Sequence, residues 1–427
     1  MFSSARAGAA LIAIASLCLS GCNNDTNDAE VRLLNVSQGY NSLAVYAGTT
    51  AEKSAVTFGT LSSYFGLAAN TYTLNFTVSG VTNALSSSSE TFTAKTHQTF
   101  VAYGDTGSFA TLEVSEDNSA PAGGSADVEL VDAAPDAGAV DVYFTASTTS
   151  LDDASPTFSN VTGGTISSAG FVNLTSGTYR MRVTATGSKT DVRLDVASVT
   201  LSSGSVSSVI VSDTSGGVLV NAMVLPQQSS LTTDNNPNAR VRAVAGISTG
   251  TSVDVSLGGT TLLTSAAPAT IGDYNLITAG TSTAASLSVG GTAVTVAAQS
   301  LTAGADYTLL IWNDSTGSTQ ETLISEANGL PASGSAKVRL VNSMSGLGDA
   351  LSMTVSYTTE AESIALGSAS VFATVTDGTN IPLGVTDATT STSLYTSTTT
   401  SLSSQGVYTL FMFGTAAAPV GTLQADR

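Results

Sequence analysis

The chain repeats itself, and this limits the folds open to it more than any other feature. A strand-like opening recurs four times: Ala29-Glu-Val-Arg-Leu-Leu-Asn35, Ala126-Asp-Val-Glu-Leu-Val-Asp132, Ala239-Arg-Val-Arg-Ala-Val-Ala245 and Ala336-Lys-Val-Arg-Leu-Val-Asn342. The copies start 97, 113 and 97 residues apart, a spacing of small domains rather than of a solenoid. Period-two alternation puts Val31 and Leu33 on one face and Arg32 on the other. Glu129, Arg242 and Arg339 hold the place of Arg32 in the later copies. The alternation predicts half-buried strands with the charge turned to solvent. A face that tolerates a change of sign reads as solvated surface rather than as a ligand site.

A second strand follows a turn: Leu43-Ala-Val-Tyr46, Val140-Asp-Val-Tyr143, Val253-Asp-Val-Ser256 and, more loosely, Leu351-Ser-Met-Thr-Val355. Each copy closes on an apolar strand: Thr99–Tyr103, Ser208–Val211, Tyr307–Trp312 and Tyr408–Phe413. Small and polar turn residues punctuate the chain about every ten residues, and no long helical period appears. The expected fold is all-β: four tandem immunoglobulin-like antiparallel β-sandwich domains over 29–117, 126–225, 239–325 and 336–427. Gly258-Gly259 and Gly290-Gly291 read as hairpin turns. Linkers fall at Asn118–Gly124, Pro226–Asn238 and Asn328–Gly334, and the longest, between copies two and three, is expected to be the most flexible. Only four lysines occur, so open sheet edges must be guarded by other means, and edge pairing between molecules stays open.

The N-terminus sets an address. Arg6 is the only charge in residues 1–24, and a small, apolar run from Ala7 to Leu19 follows it. That run is too short to span a bilayer and has the form of a secretory signal. It ends Leu19-Ser-Gly-Cys22, which resembles the lipobox of bacterial lipoproteins. The resemblance implies a signal peptide over 1–21 and a lipidated Cys22 carrying palmitate-type acyl chains. It also implies a membrane partner reached through that anchor, with Asn23 favouring the outer membrane and the body facing periplasm or cell surface. Residues 22–28 form a short polar tether. Cys18 leaves with the signal, so the mature chain holds no disulfide. Losing Arg6 takes the net charge from −19 to −20.

That acidity excludes nucleic acid as a partner, because binding it needs a basic face. The single histidine, His97, rules out a multi-His metal site. It reads as an exposed turn residue with no orienting partner, and Trp312 as core or sheet edge. Asp132, Asp136 and Asp141 fall within ten residues but lack the spacing of a calcium loop, so turn and strand roles are expected. No nucleophile-elbow, zincin or phosphate-loop motif is present. No catalytic, cofactor-binding or metal-binding residue is therefore assigned, and no cofactor is expected.

Copy two carries the sharpest string, Val131-Asp-Ala-Ala-Pro-Asp-Ala-Gly-Ala-Val-Asp-Val-Tyr143. It resembles domain-of-unknown-function family 4397, found in bacterial lipoproteins and other exported proteins. Gly177-Thr-Tyr179 is similar to that family's later Gly-x-Tyr element. The resemblance is strongest in copy two and weakest in copy four. It implies a β-sandwich and carries over no catalytic residue. The functional expectation is a non-enzymatic, envelope-anchored lipoprotein acting as spacer or binding module for a protein or glycan. The alternatives are a self-associating surface or matrix protein built by strand-edge pairing, and a hydrolase with an unrecognised carboxylate pair.

Overall fold

The computed structural model describes residues 27–247, 250–345 and 350–427. They fold as the repeats require: all β, with one short 3-10 turn at Pro135–Ala137. Each repeat builds two main sheets. In repeat 1 the opening strand Ala29–Asn35 lies between the closing strand His97–Tyr103 and the short pieces Thr60–Leu61 and Phe65–Leu67. Ala110–Ser115 completes this inner sheet. Thr50–Thr57, Ser42–Ala47, Thr71–Val78 and Ala84–Thr91 form the outer one, in that order. The same plan recurs in repeats 2 and 4, and in repeat 3 with a further two-stranded sheet, Gly280–Thr283 against Gln299–Leu301.

One pairing in each repeat is parallel. Opening and closing strands run side by side in the same direction, with Leu33 opposite Phe100, Leu130 opposite Val209, Ala243 opposite Leu309 and Leu340 opposite Leu410. All other strand pairs are antiparallel, as expected of a sandwich. Gly258-Gly259 and Gly290-Gly291 take positive φ at both positions, as two-residue hairpins need.

Between the two sheets of each repeat lies an ordinary apolar core, with Leu33, Phe76 and Phe100 in repeat 1 and Val128, Met181 and Val209 in repeat 2. Two further clusters lie between repeats. Leu34, Val101 and Val114 of repeat 1 pack on Val131, Ile210 and Met223 of repeat 2. Val244, Leu310 and Ile324 of repeat 3 pack on Val341, Phe411 and Phe413 of repeat 4. The inner sheets thus face each other in pairs, and both faces of each are covered.

This overturns the solvated-face reading of the opening strands. Arg32, Glu129, Arg242 and Arg339 are only 4%, 8%, 2% and 2% exposed. The charged face does point away from its own core, but it meets the neighbouring repeat instead of water. A sheet covered on both sides needs apolar residues on both faces, and the doublets Leu33-Leu34, Leu130-Val131, Ala243-Val244 and Leu340-Val341 supply them.

The expected flexible linker is also built into the fold. Thr232–Asp234 adds a strand to the inner sheet of repeat 2 by pairing with Val220–Pro226. Asn236, which is buried, then clamps the exit: its Nδ2 donates to the carbonyls of Arg193 and Val220 at 2.6 and 3.2 Å. Its Oδ1 accepts from the Asn238 amide at 3.1 Å.

Candidate functional site: the interfaces and the four-repeat junction

The buried charges on the opening strands recruit partners from the strands beside them. Arg32 lies opposite Thr99 in the parallel register, so its Nε donates to Thr99 Oγ1 at 2.9 Å. Nε and Nη2 grip both oxygens of Glu116 at 3.0 and 2.6 Å, a two-pronged pair. Nη1 crosses to repeat 2 and donates to the Ser229 carbonyl at 2.8 Å. The guanidinium lies 4.5 Å from the Tyr64 ring centre, and the Tyr64 hydroxyl donates to Glu116 Oε2 at 2.9 Å. Burial, then the Glu116 carboxylate, pushes that phenol up.

Repeat 3 reproduces the set as Arg242, Tyr274, Thr308 and Glu326, with the tyrosine 52 residues before the glutamate in both repeats. Repeat 4 has Arg339, Phe372, Thr409 and Asp426. Across this second interface the arginines exchange partners. Arg242 pairs with Glu326 of its own repeat at 3.1 Å and with Asp426 of repeat 4 at 2.6 Å. Arg339 of repeat 4 pairs in turn with Glu326. Burial alone would raise the Glu326 carboxyl, but Arg339 and Arg242 reverse this and hold it at about 2. Repeat 2 breaks the pattern: Glu129 stands at the arginine position and accepts from Ser208 at 2.6 Å.

The two pairs of repeats meet at a junction to which every repeat contributes. The Pro135–Ala137 turn and the loop after Asp213 project from repeat 2. The Asp136 carboxylate accepts the Leu330 amide at 2.8 Å, and Thr214 Oγ1 and the Gly216 amide reach the Gly304 carbonyl at 2.8 and 2.9 Å. Arg427 Nη1 donates to the carbonyls of Asp136, Gly217 and Asn328. Gln38 of repeat 1 donates to the Asp213 carbonyl at 2.7 Å. Glycine is required here, because a Cβ on Gly217 would lie 2.4 Å from the Gly329 nitrogen. Beside these contacts lies a cleft of about 480 Å³, lined among others by Tyr103, Asp105, Asp136, Leu330, Lys337 and Gln405.

Charge in the junction is poorly solvated. Burial, opposed by the Ala134 amide and Arg193, raises Asp132 to about 7. Burial and then Asp105 raise Asp136 to about 6. Burial, then Asp136 and Asp132, lifts Asp213 well above the carboxylate range. Burial lowers Lys337, and it lowers Arg427 to about 10. Chemically, this is a site for hydrogen bonding and proton uptake.

The residues singled out in the sequence have separate fates. Asp132 and Asp136 converge at the junction. Asp141 does not: its carboxylate accepts the amides of Asn160 and Gly187 at 2.8 and 2.9 Å and staples two turns. Among the described residues no group of three or more His, Cys, Asp or Glu is placed to hold a metal ion. His97 does have an orienting partner, Asp117 Oδ1 at 2.8 Å, and meets the Tyr64 ring edge-on. Trp312 sits at the interface of repeats 3 and 4, where its Nε1 donates to Thr322 Oγ1 at 2.9 Å. Cys22 lies outside the described residues. Sequence reasoning missed Asp105, Asp213, Arg193 and Arg427, which join the site only through tertiary contact.

No curated protein matches the chain. A family model, a domain of unknown function (DUF4397), matches residues 29–143 and 239–349. The first region holds repeat 1 and the opening two strands of repeat 2, including the Val131–Tyr143 string. The second holds repeat 3 and the opening strand of repeat 4. Together they cover just over half of the 427 residues, and the chain belongs to the DUF4397 family.

Proposed function

We propose that this protein is a non-enzymatic, lipid-anchored envelope protein whose four repeats form one rigid binding platform. The reading rests on the locking of the repeats. Inner sheets covered on both faces, a strand-forming linker and a shared junction leave little freedom for a loose string of domains. Such a body is too folded back on itself to serve as a long spacer. It suits presentation of a fixed surface to a protein or glycan, and the junction cleft is the concave feature that offers carboxylates, an ammonium and an aromatic ring together. The Leu19–Cys22 sequence supports anchoring at the outer membrane. Replacing Cys22→Ser should move the protein from the membrane fraction to the soluble one and abolish labelling by a palmitate analogue. A variant that stays membrane-bound overturns the anchoring.

A second reading, self-association, is favoured by one outer edge. Outer-sheet edge strands in repeats 2 and 4 pair through several register shifts, and that of repeat 3 is only three residues long. Ala84–Thr91 of repeat 1 pairs without a shift from Thr91 to Ser86 and carries one charge, Glu90. A regular, weakly charged edge is a template for another strand. Sedimentation of the body lacking its lipid discriminates: a monomer at every concentration removes this reading.

A further inference from the structure

We propose that the four-repeat junction is a proton-dependent lock. With Asp132 and Asp213 protonated, the projecting loops of repeat 2 seat on repeats 3 and 4; ionisation of the two carboxyls unseats them. The inference is independent of how the protein is anchored.

The geometry carries it. The Pro135–Ala137 turn and the loop after Asp213 make the hydrogen bonds to Gly304, Leu330 and Arg427 described above. The Asp213 carboxyl faces the Asp136 backbone amide, where these two pieces meet. Asp132 braces the base of the turn by accepting the Ala134 amide at 2.9 Å. Yet Asp213 Oδ1 and Asp132 Oδ2 are buried without a hydrogen-bond partner. A buried anionic oxygen left unpaired is costly, whereas a neutral carboxyl is tolerated and can itself donate.

The groups facing the pair set the direction. Asp213 faces Asp136, Asp132 and Asp105. Asp132 faces Arg193 and the Tyr103 phenol. Asp136 faces Asp105, Arg427 and Lys337. The cations temper the repulsion, but each carboxyl remains above its ordinary value, so the seated state binds more protons than the unseated one. Seating is therefore favoured at low pH, and the advantage is lost progressively as pH rises above the ordinary carboxylate value, until Asp132 ionises at about 7.

The test is amide hydrogen exchange on the mature chain at pH 5 and pH 8, corrected for the intrinsic rate. The Leu330 and Gly216 amides report the lock directly, because their bonds cross it. We expect their protection to fall by about tenfold or more at pH 8, because an equilibrium that releases one proton shifts about tenfold for each tenfold fall in proton concentration. The Leu33 and Leu130 amides, inside the sheets, should keep theirs. The Asp132→Asn/Asp213→Asn double variant should lose most of this pH dependence, with Asp136 leaving a smaller step. Equal protection of Leu330 and Gly216 at both pH values in the parent chain overturns the proposal. So does a folded double variant that keeps the parent's pH dependence. If the double variant does not fold, Asp213→Asn alone should reduce that dependence, and an unchanged profile overturns the lock.

Discussion

The interface between repeats 1 and 2 and the one between repeats 3 and 4 use the same sheets and the same strand positions, yet they handle buried charge differently. In the second, two arginines and two carboxylates interlock across the boundary, with Glu326 held by both guanidiniums. In the first, Arg32 satisfies Glu116 within repeat 1 and reaches repeat 2 only through a backbone carbonyl, while Glu129 relies on a serine. The backbone of repeat 2 compensates: the Gln228 amide donates to Glu116 Oε2 at 2.6 Å. One fold therefore closes the same gap either by exchanging ions between repeats or by lending main-chain groups to an ion pair that one repeat already completes.

The contrast can be broken most sharply at the glutamates. Glu326→Ala should take a carboxylate from two buried guanidiniums, leaving Arg339 with none and Arg242 with Asp426 alone, and cost about 3–5 kcal/mol in urea unfolding, whereas Glu116→Ala, which strands Arg32, should cost about 2–3 kcal/mol. The reverse order would show that the interlocked network is not the stronger device. The same network carries its own acid signature. Glu326 is depressed below its ordinary value, so its stabilisation is complete above about pH 4.5 and lost as pH falls toward 2. The acid-unfolding limb should flatten in Glu326→Ala.

A smaller effect separates two matching glycines. Gly367 and Gly164 both have positive φ, and each faces an aromatic residue of the partner repeat. A Cβ on Gly367 would lie 2.3 Å from a ring carbon of Trp312; on Gly164 it would meet the Tyr103 hydroxyl at 2.8 Å. Gly367→Ala should lower stability by about 2–3 kcal/mol and Gly164→Ala by about 1–2, because the end of a tyrosine yields more easily than an indole whose Nε1 is bonded to Thr322. The smallest change expected is a gain. Glu129→Arg restores the repeat pattern in the only copy that lacks it and should stabilise the first pair by about 1 kcal/mol, read as a shift in the urea midpoint. A loss instead would mean that Gln228 and Ser229 already fill the space that arginine needs.

Much of the fold was legible in the sequence because its signals are local. Alternation in Val31–Leu33, the paired glycines at 258–259 and the four spaced openings each follow from a few adjacent residues, and they point to strands, hairpins and repeats. The destination of the opposite face was not local. Arg32 looks solvated until another sheet covers it, although the doublet Leu33-Leu34 already breaks strict alternation and was the sign that both faces would be buried. The junction was less legible still. Asp132 and Asp136 stood out by spacing, but the partners that perturb them, Asp105, Asp213 and Arg427, are up to hundreds of residues away and arrive only when the pairs meet. Asp141 shared the spacing and not the site, because strand pleating sends it to a different turn.

The covering of each inner sheet by its neighbour has a consequence for how such a chain can lengthen or shorten. A single additional copy would leave one apolar sheet bare to water, so insertions and losses that survive should come in twos. The identical spacing of Arg32, Tyr64 and Glu116 to Arg242, Tyr274 and Glu326, each 210 residues further on, is the trace that a doubled two-copy ancestor would leave.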